Sequence, residues 1–90
     1  MCRNIRLLFN FDPPATQEEI RAASIQFVRK VSGTHKPSKI NETVFDEAVT
    51  NISKSVQTLL AGLVTQAPTR DRESEKAKAQ AKNAQRFNRP

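Results

Sequence analysis

Residues 16–33 have the sequence TQEEIRAASIQFVRKVSG, and this stretch decides the fold. Thr16 stands three residues before Glu19, which is the capping-box pattern of a helix start. Apolar and small side chains then recur at helical spacing and form one stripe; they are Ile20, Ala23, Ser24, Phe27, Val28 and Val31. Gly33 follows the stripe and marks the end of the helix. The stretch therefore predicts an amphipathic helix over about residues 17–32.

A longer helix is predicted over about residues 41–64. Its apolar residues alternate steps of four and three along the chain; they are Phe45, Val49, Ile52, Val56, Leu59 and Leu63. Ala48 and Leu60 widen this stripe, which suits a bundle helix better than a two-stranded seam. A helix this long can extend beyond a short bundle, so dimerisation or a protein partner is possible through Leu59, Leu60 and Leu63.

Shorter helices are predicted on either side of this pair. Residues 4–9 carry apolar side chains at helical spacing, and Pro13-Pro14 ends that segment. After Pro68, Thr69 is the expected cap of a fourth helix, in which acidic residues precede basic ones and so complement the helix dipole. This last segment is rich in alanine and offers little apolar surface, so we expect it to be weakly docked.

These segments predict an all-α fold, a small helical bundle of three to four helices with a weakly docked C-terminal helix. We divide the chain into a helical core domain at residues 1–68 and a basic Ala/Lys-rich C-terminal helix or tail at residues 69–90. The predicted core is apolar throughout and comprises Ile5, Leu8, Phe9, Phe11, Ile20, Ala23, Phe27, Val28, Val31, Phe45, Val49, Ile52, Val56 and Leu59.

Composition limits the classes of protein to consider. The chain has 90 residues, a formal net charge of +6 and a single cysteine, so an internal disulfide is excluded. No stretch approaches the roughly 20 apolar residues of a membrane span. We therefore expect a cytoplasmic protein without a membrane partner, whose charge favours acidic partners.

The basic residues offer one candidate site, for an anion or a nucleic acid. Four of them recur along the C-terminal segment and two lie in the loop after the first long helix; they are Lys78, Lys82, Arg86, Arg89, Lys36 and Lys39. A row of cations on one helix face can neutralise phosphates. The alternative is a solvated helix face, because no zinc-finger, RNA-recognition or helix-turn-helix pattern accompanies the charges.

Cys2 is the candidate reactive thiol. If Met1 is removed, the thiol lies beside an α-ammonium and Arg3, which both favour the thiolate. The alternative is a small apolar residue packed under the first helix. His35 is the one histidine, so a Cys-His pair depends on the fold. We predict no catalytic set, no metal site and no cofactor.

Several strings together form a distinctive pattern. They are MCRNI (1–5), NF (10–11), PPAT (13–16), EEI (18–20), QFVRKVSG (26–33) and KPS (36–38), followed by Thr65, Ala67-Pro68 and Arg70. In these strings the chain resembles the bacterial domain-of-unknown-function family 2277 over nearly its whole length. The resemblance implies a small cytoplasmic bacterial protein and brings no activity, cofactor or site residue.

The functional prediction from the sequence is a non-catalytic interaction protein. It depends on the lack of a convergent catalytic set and on the long apolar helix. Nucleic-acid binding through the basic C-terminal helix is the alternative.

Overall fold

Within the residues that the structure describes, the chain forms three α-helices. The computed structural model describes residues 5–87, with the side chains of residue 79 and of residues 82–87 left aside. Helix α1 spans Gln17–Ser32, α2 spans Glu42–Gly62 and α3 spans Arg72–Phe87, and a 3₁₀ turn at Lys39–Asn41 leads into α2. The described residues contain no strand, which confirms the predicted all-α fold.

Helix α1 begins and ends where its sequence signals predict. The Thr16 Oγ1 accepts the backbone N–H of Glu19 at 3.1 Å, and the Glu19 carboxylate accepts the backbone N–H of Thr16 at 2.9 Å. These bonds satisfy donors that a helix start leaves free. Gly33 ends the helix in the left-handed conformation, with φ +68°, which glycine adopts without a Cβ penalty.

Helices α1 and α2 form a hairpin that contains the core. The buried side chains among the described residues are Ile20, Ser24 and Val28 of α1 and Val49 of α2. The Ser24 hydroxyl donates to the Ile20 carbonyl at 2.8 Å, so its polar atom is satisfied inside the hairpin. The core is therefore a single thin layer between two helices.

Several predicted core residues lie at the surface. Phe27 is 48% exposed, Val31 71% and Leu59 55%, and Ile5 is also exposed. Seven others are only half-buried, namely Leu8, Phe9, Phe11, Ala23, Phe45, Ile52 and Val56. The prediction was wrong for Phe27, Val31 and Leu59 because a helical stripe identifies the apolar face of a helix, not whether another element covers it. It was wrong for Ile5 because the helix predicted around that residue does not form over residues 5–9.

The predicted N-terminal helix is absent from residues 5–9, the part of that segment that the structure describes. Residues 5–8 form no helix, and a turn at Phe9 and Asn10 follows, with Asn10 at φ +68°. Six residues are too few to hold a helix by themselves. The segment instead pairs with the chain just before α3, through a single parallel bridge between Phe11 and Arg70.

Over its described length, helix α3 is attached to the rest of the chain only at its start. Asp71, not the predicted Thr69, caps it, because the Asp71 carboxylate accepts the backbone N–H of Ser74 at 3.0 Å. Over its described length α3 packs against neither α1 nor α2. This confirms the prediction that the C-terminal helix is weakly docked because it offers few apolar side chains for packing.

Candidate functional site

The most extensive polar cluster joins the N-terminal segment to the start of α3. The backbone N–H of Arg70 donates to the Asn10 carbonyl at 2.7 Å, and the Asp12 N–H donates to the Arg70 carbonyl at 3.4 Å. The Asn10 side-chain amide donates to the carbonyls of Pro68 at 3.0 Å and Ala67 at 3.4 Å. One asparagine thus holds a segment almost 60 residues further along the chain.

Arg72, the first residue of α3, completes this cluster. Its Nη1 donates to Glu19 Oε2 at 2.7 Å and its Nη2 to Glu19 Oε1 at 3.0 Å, which is a two-pronged ion pair with α1. The same Nη2 lies 3.1 Å from the carbonyl oxygens of Pro13 and Pro14. The guanidinium carbon also lies 5.5 Å from the centre of the Phe11 ring, within cation–π range. We call this group of contacts the Arg72 clasp.

The electrostatics of the Arg72 clasp keep both partners charged. The hydrogen bonds from Arg72 lower the pKa of Glu19 from 4.5 to about 2, with a further contribution from the Thr16 backbone N–H. The same pairing raises the pKa of Arg72. A carboxylate with this pKa and with both oxygens engaged is poorly suited to proton transfer at neutral pH. The clasp thus has the chemistry of a structural fastening.

The structure describes the side chains of three of the six predicted basic residues. Lys36 and Lys39 are exposed around the 3₁₀ turn, and Lys78 is exposed on α3 with its Nζ 3.6 Å from Glu75 Oε1. Positions 82 and 86 belong to α3, but the side chains of Lys82 and Arg86 lie outside the described set, as does all of Arg89.

The candidate thiol, Cys2, also lies outside the described residues, so its relation to His35 does too. His35 itself is exposed, and its backbone carbonyl accepts a hydrogen bond from Arg29 Nε at 2.9 Å. In the part of the chain that is described, no three metal-ligating side chains come together. Nor is any helix there sufficiently long and apolar to cross a membrane.

The three leucines proposed for dimerisation have different environments. Leu60 is half-buried and lines a groove of about 390 Å³ together with Phe9, Phe11 and Ile20. Leu59 and Leu63 are exposed. The structure therefore places Leu60 toward its own N-terminal segment and leaves the other two free of it.

A second groove, of about 450 Å³, lies between α1 and the first half of α2. Its lining is mostly apolar and includes Phe27, Val31, Val44, Ala48 and Ile52. Sequence reasoning assigned most of these residues to a closed core or a widened stripe and so missed the groove. The signal that could have revealed it is the width of the α2 stripe, which exceeds what one partner helix covers.

Comparison with protein-family models finds a match over residues 1–78 to a family described as uncharacterized conserved protein, DUF2277. No curated protein and no solved structure matches the chain. The matched range includes both helices of the hairpin and the Arg72 clasp, and it stops before Lys82.

Proposed function

The chain belongs to the DUF2277 family of uncharacterized conserved proteins, and for it we propose a non-catalytic role as a small interaction protein of the bacterial cytoplasm that docks a protein partner on its α1–α2 hairpin. The lone cysteine fits this compartment, because small exported domains of this size usually depend on disulfides.

One observation carries the proposal: the hairpin leaves more large apolar side chains exposed than it buries. Among the described residues the buried apolar set is Ile20, Val28 and Val49. Phe27, Val31, Val44 and Leu59 remain exposed on the same two helices. Three of them, Phe27, Val31 and Val44, line one groove, and an exposed apolar patch of this kind typically marks a protein interaction site.

The polar chemistry of the molecule supports the same reading. Glu19 and Arg72 bind each other and leave no free acid or base between them. The two grooves have no titratable group among their lining residues. A binding role requires none.

Site-specific photo-crosslinking in cells tests this proposal. A photoreactive amino acid at position 27 lies in the apolar groove, and one at position 50 lies on the exposed far side of α2. We expect a crosslinked protein adduct from position 27 and none from position 50. Failure of position 27 to crosslink any protein, with expression and helicity intact, would overturn the proposal.

Nucleic-acid binding through the basic tail is the second candidate. Residues 76–90 contain five basic residues and no acidic ones, and Lys78 is exposed. Its support is weaker, because Lys78 already lies beside Glu75 and because the family match ends at residue 78.

A titration against labelled duplex at several salt concentrations tests this candidate. Each neutralised phosphate should add about −0.9 to the slope of log affinity against log salt. Binding with a slope near −3, abolished by combining Lys78→Glu, Lys82→Glu and Arg86→Glu, would support it. The triple variant should leave crosslinking from position 27 unchanged.

A further inference from the structure

We propose that the partner docked between α1 and α2 is an acidic amphipathic helix of another protein. Its apolar face fills the groove of about 450 Å³, here called the apolar groove, and its acidic side chains face the lysines around residues 33–41, here called the connecting loop. This inference rests on the proposed function, because it names the kind of partner that the same surface binds.

The apolar groove suits a helix better than an extended chain. Its lining is mostly apolar, and two of its polar side chains are already engaged. The Ser32 hydroxyl donates to the Val28 carbonyl at 2.7 Å, and the Asn41 amide donates to Ser38 Oγ at 3.0 Å. An extended segment would bring backbone donors and acceptors into this groove, and the described chain has no strand to pair with them. A helix bonds its own backbone groups and presents apolar side chains on one face.

The groove is long enough for about three turns of such a helix. Its lining on the α2 side runs from Asn41 to Ile52, which corresponds to about 16 Å at the helical rise of 1.5 Å per residue. A docked helix of about 12 residues therefore reaches from the connecting loop to the middle of α2.

Positive charge is concentrated around the loop end of the groove. Residues 27–41 supply the α1 wall and the loop end, and they contain four Lys and Arg residues and no Asp or Glu. Lys30 and Lys36 each precede a lining residue, and Lys39 lies between two others. All three lysines are exposed, and none forms a salt bridge with another described residue. They are thus free to pair with carboxylates of a partner.

The acidic residues of α2 do not cancel this charge. Asp46 and Glu47 line a separate depression, which shares no residue with the apolar groove. Glu42 is the one acidic residue between positions 20 and 45, and the three exposed lysines outnumber it. The loop end of the groove therefore attracts an acidic helix and repels a basic one.

Hydrogen bonds hold the connecting loop in place beside the groove. The Arg29 Nε donates to the His35 carbonyl at 2.9 Å and so ties the loop to the last turn of α1. Further along, the backbone N–H of Asn41 donates to the Ser38 carbonyl at 2.9 Å. A loop that is ordered before binding loses less conformational entropy when its lysines meet a partner.

Charge also excludes the C-terminal helix of this chain as the occupant. Over its described length α3 packs against neither α1 nor α2. Residues 76–90 contain five basic residues and no acidic ones, so placing them in the groove would bring like charges together. The basic tail of a second copy would meet the same repulsion.

Binding of two model peptides to the full-length chain, followed by fluorescence anisotropy, tests the proposal. Both peptides have about 12 residues with leucine at helical spacing. One carries glutamate at its polar positions and the other carries lysine. We expect the glutamate peptide to bind about tenfold more tightly, with a preference that weakens as salt rises. Equal affinities, or no binding of either peptide, would overturn the acidic helix as partner.

A matched pair of charge reversals separates local attraction from the charge of the whole chain. Lys36→Glu with Lys39→Glu reverses the charge of the connecting loop, and Lys76→Glu with Lys78→Glu makes the same change in net charge on α3. All four lysines are exposed, so both double variants should retain helical circular dichroism. Only the loop variant should lose the preference for the glutamate peptide. An equal loss in the α3 variant would contradict the proposal.

A pair of neutral substitutions tests whether the peptide lies in the groove. Val44→Asn puts a polar side chain in the lining, and Val64→Asn does so at a 93% exposed position beyond α2. Val44→Asn should weaken binding of the glutamate peptide roughly tenfold, and Val64→Asn should not change it. Wild-type affinity in Val44→Asn would mean that the peptide binds elsewhere.

Crosslinking in cells separates this proposal from the proposed function. The protein adduct from position 27 should disappear in the loop variant and remain in the α3 variant. An adduct that persists in the loop variant would overturn the acidic helix and leave the proposed function intact. If position 27 crosslinks no protein in any background, the proposed function fails as well. Binding to phosphatidylserine vesicles but not to the glutamate peptide would assign the groove to an anionic membrane surface and also overturn the acidic helix.

Discussion

Arg72, the first residue of α3, holds Glu19 in the first turn of α1 by two hydrogen bonds of 2.7 and 3.0 Å, across 53 residues of sequence. Glu19 also completes the capping box of α1 with Thr16. One carboxylate thus caps a helix and anchors the chain that leads into another helix.

Removing the Arg72 side chain should release the start of α3 without unfolding the hairpin. In Arg72→Ala we expect faster amide exchange at Arg70, whose N–H binds the Asn10 carbonyl, and unchanged protection in the middle of α2. Arg72→Lys should be intermediate, because an ammonium cannot make the two-pronged contact. Lys78→Ala is the matched control on α3 and should exchange like wild type. Equal protection in Arg72→Ala and wild type would contradict the role of the clasp.

Glu19 should make stability depend on pH in the acid range. Its pKa is about 2 in the folded chain and 4.5 ordinarily, so the unfolded state binds more protons between these values. The stabilisation from Glu19 is therefore complete above about pH 4.5 and is lost as the pH falls towards 2.

Urea unfolding of wild type and Glu19→Gln over this range measures the effect. The difference between them should shrink by about 1 kcal/mol from pH 6 to pH 2, a value discounted because the Glu19 side chain is partly exposed to solvent. Glu18→Gln is the control, since Glu18 lies beside Glu19 and has no partner in the clasp. A constant difference between wild type and Glu19→Gln at all pH values would contradict the assignment.

Sequence patterns predicted the parts of the fold whose determinants lie close together in the chain. Thr16, Glu19 and Gly33 are local signals, and they define the ends of α1 in the structure as they do in the sequence. The contact between Asn10 and Arg70 has no such signal, because a single bridge of two residues produces no periodic pattern. The predicted helix at residues 4–9 failed for the same reason: the partner of that segment lies 60 residues away.

The candidate site was predictable only in part. The apolar stripe of α2 followed from spacing. The groove at Phe27 and Val44 did not, because spacing gives the direction of a side chain on its own helix and not the gap between two helices. The Arg72 clasp was also not predicted, because no sequence pattern indicates which charged residues pair when they lie far apart in the chain.

Truncating one buried and one exposed apolar residue should distinguish the core of the hairpin from its exposed apolar surface by the loss of unfolding free energy. Val49 is 1% exposed, and we expect Val49→Ala to cost about 2 kcal/mol in unfolding free energy at any protein concentration. Phe27 is 48% exposed, so Phe27→Ala should cost less than about 2 kcal/mol in the monomer, below the about 3–5 kcal/mol of a fully buried phenylalanine. Chemical denaturation at several protein concentrations checks both. A concentration-independent cost above 3 kcal/mol for Phe27→Ala would place Phe27 in the core of the monomer.

Asn10 combines a left-handed backbone with a long-range side-chain contact, and two substitutions separate these contributions. Asn10→Gly keeps the φ of +68° accessible and removes the amide that binds the Pro68 carbonyl. Asn10→Ala removes the amide and also strains the backbone, which costs about 1 kcal/mol more. We therefore expect both variants to have a lower free energy of unfolding in urea than wild type. Asn10→Ala should be the less stable of the two. If Asn10→Gly matches wild type, the amide contact with residues 67–68 contributes nothing, and the backbone turn alone positions the N-terminal segment beside Arg70.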